Sequence, residues 1–186
     1  MNNEKLKEYF EKRDFDKTPE PKGNLKASNK RPVFVIQKHD ASNLHYDFRL
    51  EHDGVLLSWA VPKGPSLSPS NRRLAIMTED HPLEYADFEG EIPEEEYGGG
   101  KVIVWDLGIY ENVTEKDGEE YTMEEAIENG YIMVNLEGEK LAGTFVLIKT
   151  GDDDRWLLIK KKDEFANYDI DVLEEKPGSV LGEKTL

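Results

Sequence analysis

The chain has 186 residues and a formal net charge of −16, with 37% apolar and 34% charged residues. This length predicts one compact domain, and eighteen aromatic residues are enough for a real core, which excludes wholesale disorder. The lack of cysteine excludes disulfides, thiolate metal sites and a cysteine nucleophile. No apolar run reaches the roughly 18–20 residues that span a bilayer. We therefore expect a cytoplasmic monomer without a membrane partner.

The charge is unevenly distributed along the chain. Residues 1–75 hold 14 Lys and Arg against 10 Asp and Glu, whereas residues 76–186 hold 10 against 30. Because affinity for phosphates comes largely from cationic contacts, an acidic protein should be a poor non-specific binder of nucleic acid. If the chain meets a polyanion, the first 75 residues are the expected contact surface. The acidic runs are most simply explained as solubilising charge.

The first thirty residues predict a short helix followed by an extended arm. Residues Glu4–Arg13 place Leu6, Tyr9 and Phe10 on one side of an amphipathic helix. The following segment, Phe15–Arg31, is polar and contains two prolines and a glycine, which favour an extended chain.

Short strands with turn residues between them fill most of the remaining chain. The predicted strands are Val33–His39, Leu44–Leu50, Val55–Val61, Leu74–Thr78, Lys101–Asp106, Tyr131–Leu136, Gly143–Thr150 and Trp156–Lys161. A long loop is expected from Glu79 to Gly100, and a helix between the N-cap candidate Thr122 and Gly130. The tail from Asp169 is acidic and expected to be loosely held. The pattern predicts a mainly β protein, an antiparallel barrel or curled sheet with a few short helices.

The predicted strand Leu44–Leu50 has two contrasting faces. Side chains alternate along a strand, so Leu44, Tyr46, Phe48 and Leu50 share one face. The opposite face carries His45, Asp47 and Arg49, unlike the Thr, Lys, Glu and Ser of an ordinary solvated face. This row indicates a functional site.

A third metal-ligand candidate ends the preceding strand. A tight hairpin would place His39 opposite His45, with Cβ atoms about 5 Å apart, and Asp47 lies two residues further on the same face. Two imidazoles and a carboxylate form a three-point set that leaves other coordination positions open. Such a set suits Mn²⁺, while Zn²⁺ remains an alternative. One histidine alone is more often an ordinary residue, but three of the four in such contexts favour a site; His52, on a turn, is expected to be inert.

Further polar residues are predicted to lie near this group. Arg49 continues the row and offers a planar clamp for phosphate. Arg73, Glu79 and His81 share parity in a second row, and Tyr85 follows four residues later. Together these residues fit the hydrolysis of phosphoryl esters, in which a metal and electrostatic stabilisation do most of the work. The triplet Gly98–Gly100 could cradle phosphate, although turn geometry is the favoured explanation.

Several motifs in order resemble the 3'-phosphoesterase module of bacterial DNA ligase D. They are QKHDASNLHYDFRL (Gln37–Leu50), SWAVPKGPS (Ser58–Ser66), RRLA (Arg72–Ala75), EDHPLEYADFEG (Glu79–Gly90), IPEEEYGGGKVIVWD (Ile92–Asp106) and the arm KRDFDKTPEP (Lys12–Pro21). The likeness runs from about residue 9 to 165. It implies a compact β-barrel with a divalent metal, typically Mn²⁺, with Zn²⁺ or Co²⁺ as alternatives.

The resemblance also assigns roles to individual residues. His39, His45 and Asp47 match the metal ligands, and Arg49, His81 and Tyr85 match residues around the scissile phosphate. The remaining matches are Arg73 and Glu79 as supporting active-site residues, Arg13, Asp14 and Glu20 as functional positions of the arm, and Lys63 as a weaker candidate for a backbone-phosphate contact. His81 is expected to stabilise the transition state or to protonate the leaving oxygen.

The implied organisation is an N-terminal helix and arm (1–30) folded over the active site, a phosphoesterase barrel (31–165) and an acidic tail (166–186). The implied activity is that of a DNA-binding hydrolase of ester bonds, a nuclease for DNA repair by non-homologous end joining. It would remove a 3'-terminal ribonucleoside from a primer–template and then the 3'-phosphate. As a stand-alone protein it would need any DNA ligase or polymerase partner in trans. The alternatives are a non-catalytic DNA-end-binding adaptor and a metallophosphatase for small nucleotides.

Overall fold

An antiparallel barrel of eight strands forms the body of the protein. The computed structural model describes residues 4–23 and 31–186. Within this part of the chain the strands are β1 (Val33–Asp40), β2 (Leu44–His52), β3 (Val55–Val61), β4 (Arg73–Pro82), β5 (Gly90–Ile92), β6 (Gly100–Asn112), β7 (Glu115–Lys116), β8 (Glu119–Glu120), β9 (Tyr131–Gly138), β10 (Ala142–Lys149) and β11 (Arg155–Lys160). The helices are α1 (Lys7–Glu11), α2 (Met123–Asn129) and α3 (Val172–Glu175), and a 3₁₀ turn covers Leu83–Asp87. The predicted β-barrel with short flanking helices is confirmed.

The barrel closes through a second pairing of its first strand. The strand order is β1-β2-β3-β4-β11-β10-β9-β6, and β6 pairs back onto β1. The short strand β5 pairs with the start of β6, and β7 and β8 form a separate two-stranded hairpin. Closure leaves the eight barrel strands without an open edge.

The two faces of the barrel strands have different neighbours. The predicted apolar face of β2 points into the barrel, where the Phe48 ring packs on Trp59, which in turn packs on Trp156. On the outer surface a second apolar cluster forms, in which Leu6 and Tyr9 of the N-terminal segment pack with Tyr85 of the 3₁₀ turn. The N-terminal segment and the 3₁₀ turn thus cover the outer face of the first strands.

Two predicted boundaries were wrong because β4 and β6 are longer than expected. The predicted loop from Glu79 to Gly100 begins as strand, since β4 continues to Pro82, and it also contains the 3₁₀ turn and β5. Strand β6 runs on to Asn112 and pairs with β1 along its first half and with β9 along its second. The long β6 is therefore the strand that closes the barrel.

Helix α2 has the predicted cap at each end. The Thr122 side chain accepts a hydrogen bond from the Glu125 backbone N–H, and the Glu125 carboxylate accepts one from the Thr122 N–H. This capping box satisfies two N–H groups of the first turn. Gly130 ends the helix in the left-handed region, with φ of 66°.

The C-terminal segment packs against the barrel, contrary to the expectation of a loosely held tail. Val172 is buried among interior residues, and the Trp105 indole donates a hydrogen bond to the Lys176 carbonyl at 2.7 Å. The Val180 N–H donates to the Val104 carbonyl at 2.9 Å. Apolar and backbone contacts outweigh the acidic composition here. None of the helices in residues 4–23 and 31–186 is long and apolar enough to cross a membrane.

Candidate active site

The outer face of the β1–β2 hairpin carries the predicted metal ligands. His39 is the direct cross-strand partner of His45, and Gln37 is the partner of Asp47. The next outward pair along the hairpin is Val35 and Arg49. The predicted hairpin register is confirmed, and the polar row of β2 lies outside the barrel rather than in its interior.

His39, His45 and Asp47 form a compact group of three potential ligands. One ligand atom from each lies within 4.8 Å of the other two. Asp47 Oδ2 is 3.6 Å from His39 Nδ1 and 3.4 Å from His45 Nε2. The imidazole rings are tilted by 55°, with centroids 4.8 Å apart. Two nitrogens and one carboxylate oxygen thus converge on a single point.

The other nitrogen of each imidazole is held by a backbone carbonyl. His39 Nε2 donates to Gly98 O at 2.7 Å, and His45 Nδ1 donates to Asn43 O at 2.9 Å. These bonds leave His39 Nδ1 and His45 Nε2 unprotonated and turned toward Asp47, which is the usual outer support of metal-binding histidines. The group therefore fits a divalent cation.

Electrostatics keep the Asp47 carboxylate ionised. Burial alone would raise the pKa of Asp47, but the Arg49 guanidinium and, when no cation is bound, the neighbouring His39 and His45 rings hold it well below its usual range. Burial would lower the pKa of His45, and the Asp47 carboxylate with the Asn43 carbonyl outweighs burial and raises it. A bound cation and a proton would therefore compete for His45.

Arg49 is held rigidly beside this group. Its Nε donates to Gln37 Oε1 at 2.7 Å, and its Nη1 donates to Ser58 Oγ at 2.9 Å. Its Nη2 lies 3.6 Å from Asp47 Oδ2 and donates no hydrogen bond within the described residues. The guanidinium thus presents one NH₂ group next to the metal-ligand group.

A β-bulge in β4 brings Glu79 and His81 to the same outer face. Between the pairs Ser58–Thr78 and Leu56–His81, β4 uses one more residue than β3. The extra residue reverses which side chains of β4 face outward. Arg73 therefore does not lie on the same face of β4 as Glu79 and His81, although their even spacing predicts a shared face.

Arg73 consequently lies on the interior side of the barrel wall. The cross-strand neighbour of Arg73 is Leu158, and Arg73 lies on the same face of β4 as Ala75. Leu158 and Ala75 both belong to the interior core. The predicted shared row of Arg73, Glu79 and His81 was wrong for this reason, whereas the supporting role that the resemblance implies for Arg73 stays a prediction.

The N-terminal arm contributes two charged groups to the site. Arg13 Nε donates to Glu20 Oε2 at 2.8 Å, and its Nη1 donates to Glu79 Oε1 at 3.3 Å. The Tyr85 hydroxyl donates to Glu20 Oε2 at 2.7 Å. Burial and the Glu20 carboxylate raise the pKa of Tyr85, so its hydroxyl stays protonated. Residues 24–30, which belong to the predicted arm, lie outside the described residues.

His81 is a neutral imidazole enclosed by cations. Burial, reinforced by Arg49 and Arg13, lowers its pKa well below the usual value. Its Nδ1 donates to the Glu79 carbonyl at 2.9 Å, and its Nε2 accepts from Arg13 Nη2 at 3.3 Å. His81 therefore carries no proton on Nε2, and the local positive charge comes from the two guanidiniums.

The potential metal ligands, the two guanidiniums, the carboxylates of Glu20 and Glu79, and the rings of His81 and Tyr85 line one cavity of about 290 Å³, here called the main cavity. Of the residues predicted from the sequence, it contains Arg13, Glu20, His39, His45, Asp47, Arg49, Glu79, His81 and Tyr85. Three predicted residues are not among its walls. Arg73 faces the interior, Lys63 is exposed on the turn after β3, and Asp14 is exposed where its Oδ1 accepts from the Asp16 N–H.

The glycine triplet shapes the wall beside His39. Gly100 has φ of +140°, and a Cβ there would collide with the Asp40 carbonyl oxygen. A Cβ at Gly99 would lie 2.7 Å from the Pro93 carbonyl oxygen. Close backbone packing therefore explains these two glycines, as the turn interpretation expected, and it places Gly98 O against His39.

Three residues of the site were missed by sequence reasoning. Gln37 and Ser58 hold Arg49, and Tyr97 lines the main cavity. The alternation of β1 contained a signal for the first, because Gln37 shares the parity of His39. Ser58 similarly lies directly opposite Arg49 on the neighbouring strand.

Comparisons with known proteins agree on one family. Residues 37–149 match the family described as the DNA Ligase D 3'-phosphoesterase domain. The chain is 50% identical over 188 residues to the multifunctional non-homologous end joining protein LigD of Pseudomonas aeruginosa, an alignment covering 97% of this chain and 22% of that protein. It is 49% identical over 162 residues to the LigD protein of Mycobacterium bovis and 44% identical over 167 residues to that of Mycolicibacterium smegmatis. The last two alignments each cover 87% of this chain, and 20% and 21% of the relatives.

These matches show to which class of protein the barrel belongs. The chain belongs to the DNA ligase D 3'-phosphoesterase domain family. It spans about a fifth of the length of the relatives it matches. The family resemblance seen in the sequence motifs is confirmed.

Proposed function

We propose that this chain is a metal-dependent phosphoesterase that processes DNA 3' ends in end repair. One observation carries the proposal: the ligand group His39, His45 and Asp47 shares the main cavity with the guanidiniums of Arg49 and Arg13. A cation and two guanidiniums around one small space suit a phosphate ester. Membership of the family supports DNA 3' ends as the source of that ester.

The three ligands would hold a divalent cation, which we propose is Mn²⁺. When bound, such an ion would supply Lewis-acid polarisation of a phosphoryl oxygen and would make water a better nucleophile. Two nitrogens and one carboxylate leave coordination positions for water and substrate. The same donor set also suits Zn²⁺ and Co²⁺, so the metal is tested by substitution rather than assigned from the ligands.

The other residues in and around the cavity have two roles: some would bind the phosphate, and others orient the residues that bind it. Arg49 offers its Nη2 to a phosphoryl oxygen while Gln37 and Ser58 fix the other nitrogens. Arg13 adds a second positive charge from the arm. Neutral His81 accepts from Arg13 and so orients it, which favours a role in stabilising the transition state over protonation of the leaving oxygen.

The substrate we propose is a primer–template whose 3' end carries a ribonucleotide or a phosphate. Removal of the terminal ribonucleoside leaves a 3'-phosphate, and hydrolysis of that monoester leaves a 3'-hydroxyl for a polymerase or ligase. The positive balance of residues 1–75 favours a polymer over a mononucleotide.

A single assay tests this function against its alternatives. A labelled primer–template with one 3'-ribonucleotide is incubated with and without Mn²⁺, and the products are resolved by end group. We expect Mn²⁺-dependent 3'-phosphate and 3'-hydroxyl products; parallel reactions with Zn²⁺ and Co²⁺ compare the metals. Tight end binding without product would indicate a DNA-end-binding adaptor. Equal hydrolysis of free nucleoside 3'-monophosphates would indicate a metallophosphatase for small nucleotides.

A further inference from the structure

A second cavity of about 310 Å³ adjoins the main cavity on the side of the N-terminal helix. The two share Thr78, Glu79 and Tyr97 in their walls. The second cavity, here called the side cavity, is also lined by Glu8, Lys12, Met77 and Asp154. Its volume lies at the lower end of the roughly 300–1,000 Å³ range of small-molecule sites. It can therefore receive one small group attached to a phosphate in the main cavity.

The ring of Tyr97 stands at the junction of the two cavities. Lys12 Nζ lies 4.8 Å from the ring centroid and donates to the hydroxyl at 3.4 Å, and Arg13 Cζ lies 5.4 Å from the centroid. Despite these contacts Tyr97 is 47% exposed. The arm thus holds the ring in place while much of its surface stays open. Aromatic rings presented in this way are the usual stacking surface for nucleic-acid bases.

The charge of the side cavity selects against a phosphate. Its walls hold the carboxylates of Glu8, Glu79 and Asp154 and only one ammonium, that of Lys12. Lys12 Nζ is 2.8 Å from Glu8 Oε1 and 3.2 Å from Glu79 Oε2, so these acids already use its charge. A phosphodiester would be repelled here. An uncharged sugar bearing hydroxyl groups would find acceptors for them.

We propose that the side cavity receives the terminal nucleoside of the DNA 3' end, with its base stacked on Tyr97 and its sugar hydroxyls facing the carboxylates. The inference rests on the proposed function, because that function places the scissile phosphate in the main cavity. It adds a subsite to the proposed active site. The part of the substrate that binds there must be uncharged, with a flat base and a sugar that carries hydroxyl groups. The rest of the strand must leave the main cavity by another side.

Stacking is tested first without turnover. A primer–template ending in a 2-aminopurine ribonucleoside, with a fluorescent label on the primer 5' end, is titrated in EDTA with the wild-type chain and the variants Tyr97→Phe and Tyr97→Leu. We expect the wild type and Tyr97→Phe to quench the 2-aminopurine emission and Tyr97→Leu to leave it unquenched. Tyr168→Leu, which removes another exposed tyrosine, is the matched control and should quench as the wild type does.

The label on the primer separates the two ways in which this test can fail. Binding of the primer by the wild-type chain without quenching, or equal quenching by Tyr97→Leu, would overturn the stacking proposal alone. No binding together with no Mn²⁺-dependent product would overturn the proposed function and this inference with it.

Kinetics provide a second, independent readout. Three 3' ends are compared: a ribonucleotide with its base, an abasic ribose and a 3'-phosphate. Tyr97→Leu should lower kcat/KM for the base-bearing end by roughly 5- to 100-fold, the range expected for one stacked base, and leave the other two ends within about twofold. Equal losses on all three ends would contradict the subsite, since they would indicate only a disturbed loop.

Discussion

Gln37 links Arg49 to the turn that carries Tyr85. Gln37 Oε1 accepts from Arg49 Nε at 2.7 Å, and its amide nitrogen donates to the carbonyls of Tyr85 and Phe88 at 2.7 and 3.1 Å. The Gln37 side chain is fully buried and does not line the main cavity. The position of the Arg49 guanidinium therefore depends on a buried side chain that does not line the main cavity.

Replacing Gln37 should uncouple these two elements. Gln37→Met keeps the approximate shape but removes the acceptor of Arg49 Nε and the amide donor to the Tyr85 and Phe88 carbonyls, of which the Tyr85 carbonyl keeps the Phe88 N–H. We expect the free energy of unfolding to fall by about 1–3 kcal/mol or more, measured by urea titration. We also expect kcat to fall while Mn²⁺ affinity stays unchanged, because the ligands are not altered. A folded variant with wild-type kcat would show that Arg49 needs no such support.

We expect turnover to require the arm, because the arm carries the forked guanidinium of Arg13. Its three nitrogens contact Glu20, Glu79 and His81, a geometry that a lysine cannot reproduce. Arg13→Lys should therefore reduce kcat/KM on the order of 10²–10³-fold. Arg31→Lys is the matched control, since Arg31 is exposed and its one ion pair within the described residues, with Glu137, lies on the surface. Unchanged kinetics after deletion of residues 1–20 would contradict the role of the arm.

Asp80 should make the protein less stable as the pH rises. Burial and the nearby carboxylates of Glu8 and Glu79, opposed by Lys5, raise its pKa to about 6. Because its unfolded pKa is about 4, the folded state binds more protons between these values, and stability falls as the pH rises through that window. Asp80→Asn should raise the free energy of unfolding at pH 8 and change it little at pH 4. Equal effects at both pH values would refute the ionisation as the cause.

His81 should have the opposite effect on the pH dependence of stability, making the protein less stable as the pH falls. Its folded pKa lies well below its unfolded value near 6.5, so the unfolded state binds more protons below that pH. The contribution is fully present above pH 6.5 and is lost as the pH falls. In EDTA, the wild-type Tm should drop more between pH 7.5 and 5.0 than that of His81→Gln. Parallel Tm profiles would show that His81 is already charged in the folded state.

The grouping of His39, His45 and Asp47 could be predicted because it depends on one hairpin and on the two-residue alternation of a strand. The alternation of β2 and the short connection to β1 determine which side chains meet, and His39 faces His45 as expected. The position of Arg73 could not be predicted in this way. A single extra residue in β4 reverses the parity, and the stretch around Thr78 contains no glycine or other local signal for a bulge.

Contacts between residues far apart in the chain also could not be predicted from local sequence patterns. Glu20 reaches Tyr85 across 65 residues of chain, and only the family resemblance pointed to it. The packing of the C-terminal segment depends on apolar side chains such as Val172 within an acidic stretch, whose average composition predicted a loose tail. In both cases the tertiary contact, not the local sequence, decides the outcome.

Cation binding by His39, His45 and Asp47 is the property on which the proposed function depends. It is tested most directly by calorimetric titration of Mn²⁺ into the wild-type chain, His45→Ala and the control His52→Ala, with circular dichroism to verify folding. We predict one Mn²⁺ per chain for the wild type and for His52→Ala, and affinity more than about 100-fold weaker for His45→Ala. A folded His45→Ala protein that binds Mn²⁺ as tightly as the wild type would show that His45 does not hold the cation.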